Sequence, residues 1–161
     1  MSMSVFEASD IVEFAIRIEE NGANFYRFAV QIAKDESTKK LFEQLADAEV
    51  HHKKTFEKIF AAMDKVAPPE SYDGEYAAYL HNYVDNAIIF KKEALDQELT
   101  KVKDTPSALD FALRREMDSI LYYHEIKRLV PANEYGTVDK IIDEERRHVA
   151  MLSAMKQKYA G

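Results

Sequence analysis

The sequence has no cysteine and no tryptophan in 161 residues, and only four glycines and four prolines. Without thiols, these residues cannot form a disulfide framework, a thiolate nucleophile, a Cys-ligated zinc site or an iron–sulfur centre. With so few turn formers, a strand-and-turn architecture is disfavoured. Long apolar runs are missing too, and no window approaches the ~18 residues of a membrane span. Met1 to Asp10 lacks a basic stretch followed by an apolar run, so no signal peptide is expected. Positive charge is short: Lys plus Arg is 22 against 29 Asp plus Glu, a net charge of −7. Phosphate contacts need a basic surface, so neither nucleic acid nor a membrane is an expected partner. The expectation is a soluble, cytoplasmic chain forming a single domain over 1–161.

What the chain does contain is helical periodicity. Val12, Ala15, Gly22, Tyr26, Ala29 and Ala33 fall at spacings of three and four, as do Leu41, Leu45, His52, Phe56, Ile59 and Met63. Leu109, Ala112, Ser119, Tyr123, Ile126 and Val130 form a third stripe, and Val138, Ile141, Leu152, Met155 and Tyr159 a fourth. These spacings predict helices near 9–34, 37–66, 105–130 and 134–158. Ser9 or Asp10, Ser37 or Thr38, and Thr105 before Pro106 are the expected caps, and Pro68-Pro69 is the expected stop of the second helix. Short connections make each pair of helices an antiparallel hairpin. The stretch 67–104 is far longer than a turn between neighbours needs, so it reads as a crossover that leaves the second and third helices parallel. Tyr76, Tyr79, Leu80 and Tyr83, then Ile88, Leu95, Leu99 and Val102, suggest helix within it, broken near Asp85. The fold class is therefore all-α, a four-helix bundle with a partly helical crossover.

Several slots in the stripes hold ionisable residues: Glu19, Glu49, His52, Glu116, Glu145 and His148. Charge on a core face is costly unless paired or bound to metal. A single Glu-x-x-His is weak evidence and commonly lies on a helix surface. The register is more telling. Glu19 and Glu49 are centred on position 34, and Glu116 and Glu145 on Val130-Pro131, both at turns assigned on other grounds. The halves also repeat. Phe14-Ala15-Ile16-Arg17-Ile18-Glu19 parallels Phe111-Ala112-Leu113-Arg114-Arg115-Glu116, and Glu49 and His52 parallel Glu145 and His148. Face to face, the hairpins bring four carboxylates and two imidazoles to one level, the ligand set of di-iron and di-manganese bundles. Four carboxylates would balance two divalent ions, and such donors suit iron or manganese, with zinc able to bind adventitiously. Without metal, several carboxylates should titrate high. Glu20 and Glu144 sit beside the candidates and leave Glu19 versus Glu20, and Glu145 versus Glu144, open by one residue.

On these six residues, and on the surroundings of Phe25-Tyr26 and Asp118–Tyr123, the chain resembles the rubrerythrin family of ferritin-like di-iron proteins. The resemblance implies a ferritin-like bundle holding two iron ions. Glu49 and Glu145 would bridge them, Glu19 and Glu116 would each bind one, and His52 and His148 would complete the set. It also implies a homodimer that reduces hydrogen peroxide or oxygen. Two departures stand out. The small four-Cys iron domain of full-length members cannot be built from these residues, so a separate electron-donor protein is expected. An additional family Glu is replaced by Ser119, which puts peroxidase activity in question.

Tyr26 and Tyr123, each seven residues after a candidate Glu, could orient ligand carboxylates through their hydroxyls. Helical side chains lean toward the N-terminus, so each phenol covers the turn nearer the Glu of its own helix. A packed aromatic with a satisfied hydroxyl is the alternative. His51, His81 and His124 read as structural or exposed, and the Tyr72–Tyr83 cluster as packing. Three functions fit this pattern: an oxidoreductase, an iron-binding or storage protein with a ferroxidase loading step, and a structural bundle. The first is favoured.

Overall fold

The computed structural model describes residues 8–63 and 92–160. Helix α1 spans Ala8–Ile32, α2 Glu36–Ala62, α3 Lys92–Leu99, α4 Thr105–Ile126 and α5 Tyr135–Gln157. A 3-10 turn over Ala132–Glu134 precedes α5. No strand occurs among the described residues. None of their helices is long and apolar enough to cross a membrane. The fold is the all-α bundle expected.

The directions of the helices follow from contacts. The three residues between α1 and α2 force a hairpin. The Tyr122 hydroxyl of α4 donates to the Ile11 carbonyl of α1 at 2.8 Å, and Phe25 of α1 packs on Phe111 of α4 with centroids 4.5 Å apart. Rising numbers in α1 thus meet falling numbers in α4, so these two are antiparallel. Helices α2 and α4, each antiparallel to α1, are parallel to one another. Parallel α2 and α4 require a crossover between them, and α3 is the helical part of it that is described. Leu99 and Val102 pack against the bundle. The Tyr72–Tyr83 cluster, His81 and the break near Asp85 lie outside the described residues.

Helix ends differ from the expected ones for local reasons. Asp35, not Ser37 or Thr38, caps α2: its carboxylate accepts from Thr38 N at 2.9 Å and from the Ser37 and Thr38 hydroxyls at 2.6 and 2.8 Å. One acidic cap at a helix N-terminus gathers all three donors and favours the dipole. Asp104, not Thr105, caps α4 through a reciprocal box with Ser107, which moves Pro106 into the first turn. Ser9 and Asp10 lie inside α1, which is already helical at Ala8. Helix α2 ends at Ala62, with Met63 extended at ψ 122°, short of the expected 66, and Pro68-Pro69 lies beyond the described residues. Helix α4 stops at Ile126 rather than 130, the chain tightening into turns ahead of Pro131, which disfavours helix in the residue before it. Tyr159, expected in the fourth stripe, is instead partly exposed and bonds Asp35 and Thr38 across the bundle end.

The interior has two apolar blocks. One holds Val12, Ala15, Ile18, Phe56, Ile59, Tyr122, Ile126, Val138 and Ile142. The other holds Phe25, Ala29, Leu41, Phe42, Leu45, Leu109, Ala112 and Leu152. Between them lies a layer of buried charged side chains.

Candidate metal centre

Each of the four long helices contributes to that layer. Glu19 comes from α1, Glu49 and His52 from α2, Glu116 from α4, and Glu145 and His148 from α5. All six are buried. They form two overlapping groups, Glu19, Glu49, His52 and Glu145, then Glu49, Glu116, Glu145 and His148, with donor atoms within 4.8 Å of one another in each. Glu49 and Glu145 belong to both. The imidazoles of His52 and His148 stack with centroids 5.8 Å apart.

The neighbouring acids lie outside this layer. Glu20 faces solvent and pairs with Lys53 at 3.1 Å. Glu144 lies behind His52, its Oε2 2.6 Å from Nε2. The buried cluster thus contains Glu19 and Glu145, with Glu20 and Glu144 outside it.

The donor set fits a cation. Glu19 Oε2, Glu49 Oε1, Glu116 Oε2 and Glu145 Oε1 are buried without a hydrogen-bond partner, and so is His52 Nδ1. That nitrogen lies 3.2 Å from Glu145 Oε1 and 3.5 Å from Glu19 Oε2. Buried polar atoms are normally satisfied, so four unpartnered carboxylate oxygens converging beside an imidazole call for positive charge.

Protons respond to the same crowding. Burial pushes the Glu49 carboxyl well up, and Glu19, Glu116 and Glu145 push it further. Burial and then Glu116 raise Glu145. Glu116 is the exception: burial acts upward, but the close His148 imidazole holds it below the usual carboxylate range. Burial opposes charge on His52, yet Glu145 and Glu19 push it up to about 12. His148 rises to about 9 against burial because Glu116 and Glu145 face it. Without an ion, protons do the screening.

The two phenols act across the bundle. Tyr26 of α1 donates to Glu116 of α4, and Tyr123 of α4 donates to Glu19 of α1. Each was expected to cover the Glu of its own helix, and instead the bonds cross. The cause is that antiparallel α1 and α4 place residue 26 beside 116 and residue 19 beside 123. Burial, reinforced by Glu116 and Glu19 respectively, keeps both hydroxyls protonated well above 10.

Arg115 is the functional residue that stripe reading passes over. It is 4% exposed, donates to the Ile18 carbonyl at 2.8 Å, and lies 3.4 Å from Glu49 Oε2. Gly22 makes room for it: a Cβ there would stand 2.4 Å from the Arg115 Nη2 and 2.0 Å from Glu49 Oε2. The guanidinium adds a positive charge to a centre whose four carboxylates alone would balance two divalent ions. A glycine facing a long basic side chain was the available signal, but only once α1 and α4 are known to touch. Ser119 turns back on its own helix, donating to the Arg115 carbonyl at 3.0 Å.

Comparison with known proteins agrees with this geometry. The chain is 30% identical to a protein from Thermotoga maritima described as a ferritin-like diiron-carboxylate protein, with a TM-score of 0.71 over 98% of this chain and 99% of the other. A hypothetical protein from Pyrococcus furiosus shares the fold at 16% identity, with a TM-score of 0.58 over 97% of this chain and 92% of that one. No curated protein matches the sequence. The family model for rubrerythrin matches residues 10–156. That span takes in all six clustered acids and imidazoles and both phenols, and the chain belongs to the rubrerythrin family.

Proposed function

We propose that the chain holds two iron ions and reduces hydrogen peroxide or oxygen with electrons from a separate donor protein. The observation that carries this reading is the sharing of Glu49 and Glu145 by two buried donor groups, each completed by its own Glu and His. That pattern suits two ions side by side better than one. Glu49 and Glu145 would span both ions. Glu19 with His52 would serve one, and Glu116 with His148 the other. Manganese or zinc would fit the same donors. When bound, a ferrous pair supplies two electrons to one O–O bond, so peroxide plus two protons becomes two waters.

The protein's own groups set the conditions. The apolar blocks on either side exclude bulk water and strengthen electrostatic interactions within the layer. The Tyr26 and Tyr123 hydroxyls hold Glu116 and Glu19 in place, protonated throughout the physiological range. Arg115 moderates the negative charge on Glu49. The absence of cysteine from these 161 residues supports an external electron source.

The test is anaerobic Fe(II) titration followed by peroxide or oxygen, read by absorbance. The expected result is saturation near two irons per chain, a ferric band on oxidation, and repeated turnover when a reductant is supplied. Glu49→Ala should abolish all three. Uptake of many more irons per chain would favour storage. A melting temperature indifferent to iron and chelators would favour a structural bundle.

A further inference from the structure

The two hairpins repeat at an offset of 96 to 97 residues, so each half of the centre has a counterpart in the other. Glu19 answers to Glu116, Glu49 to Glu145 and His52 to His148. The repeat breaks at Glu144, whose counterpart is Ala48. Glu144 places Oε2 2.6 Å from His52 Nε2, on the side of the ring away from the cluster. Alanine has no polar side-chain atom to do this for His148. That ring instead bonds Glu145, one turn back on its own helix, through Nδ1 at 2.7 Å.

Resting on the dinuclear reading above, we propose that Glu144 is a positioning residue that makes the two halves unequal, so that the His52 half takes the first divalent ion and holds it more tightly. The argument is geometric first. With Nε2–H donating to Glu144, Nδ1 is the ring atom left to bind an ion once its own proton is displaced. That atom faces Glu145 Oε1 at 3.2 Å and Glu19 Oε2 at 3.5 Å. Glu144 holds the ring in its ligating orientation before an ion arrives, and when an ion displaces the Nδ1 proton the Nε2 proton is the one retained. Charge acts in the same direction. The carboxylate behind the ring adds negative charge on the side of the layer that His52 serves. Glu144 is 40% exposed and water weakens its field, but His52 itself is buried, and their bond lies at the edge of the layer. Arg115 does not reverse the order, because its contact is with Glu49, which both halves share.

The experiment is an anaerobic titration of the full ¹⁵N-labelled chain with Zn(II), diamagnetic and redox-inert, following the ring nitrogens of His52 and His148. Below one equivalent, the His52 Nδ1 signal should shift while His148 stays at its starting position. Glu144→Gln keeps a hydrogen-bond acceptor but removes the charge, and Glu144→Ala removes both. The first-step affinity should fall about tenfold or more in these variants, further in Ala than in Gln, and the order of filling should be lost. If both histidines of the unmodified chain shift together, or the variants fill in the same order with the same affinity, the inequality is overturned and the dinuclear reading stands. If the folded chain takes up no Zn(II), both fall together.

Discussion

The apolar blocks and the polar layer between them obey opposite rules. In the blocks, Phe42, Phe56, Leu109 and Ile126 are fully packed and need nothing further. In the layer, five buried donor atoms lack a hydrogen-bond partner, and neighbouring carboxylates repel each other. The difference teaches that stability and chemistry are held by separate parts of one interior. The blocks fix the spacing of the helices, and the layer uses that fixed spacing to keep like charges close. That division explains how a layer so crowded with charge can be buried at all.

The comparison is broken most severely from the apolar side. Phe42→Ala should cost about 3–5 kcal/mol in denaturant unfolding of the metal-free chain, because it empties a fully buried site in the apolar block, part of its packing being against Tyr26. Glu49→Gln should act only on the layer. The metal-free protein should melt close to the parent, since burial already favours the neutral form of Glu49. The added stability of about 2.7 kcal/mol that a ligand at a hundred times its Kd provides should disappear. Gly22→Ala tests the layer's space. Its Cβ must displace Glu49 or Arg115, so a loss of about 1–3 kcal/mol should accompany weakened metal uptake.

Titration sharpens the contrast further. His52 and His148 are raised to about 12 and about 9 in the folded, metal-free protein, so the folded state binds more protons than the unfolded one. Their contribution is complete below the unfolded value near 6.5 and declines as pH rises, ending near 9 for His148 and near 12 for His52. The raised Glu49 and Glu145 carboxyls act in the same direction, while Glu116, held low, acts oppositely at acid pH. Urea midpoints of the metal-free chain should therefore fall between pH 6.5 and 9. The metal-loaded chain, in which ions replace those protons, should show a flatter profile. The smallest effect is expected at the bundle end, where Asp35→Ala removes the α2 cap for about 1 kcal/mol and leaves metal affinity unchanged.

The layer was legible in the sequence because each of its acids and imidazoles interrupts an apolar stripe. Equal distance from a turn then placed Glu19 opposite Glu49 and Glu116 opposite Glu145. The same periodicity made the four long helices legible. Relations between non-consecutive helices were not legible. Arg115, the crossed phenol bonds and the role of Glu144 all depend on which side chains meet across the bundle, and helical spacing within one segment says nothing of that. Helix ends escaped for a different reason. Asp35 and Asp104 compete with neighbouring Ser and Thr for the same cap, and the choice turns on backbone geometry that residue types alone leave open.

The crossed bonds of Tyr26 and Tyr123 also bear on biosynthesis. The first hairpin is made with Glu19, Glu49 and His52 but without the phenol that steadies Glu19, and without Glu145. At ribosomal speeds of roughly 5–20 residues per second, the complementary hairpin follows within roughly 5–20 s. During that interval the nascent chain presents only half of a ligand set. Both donor groups draw on the two hairpins, so neither is complete until the second has been made.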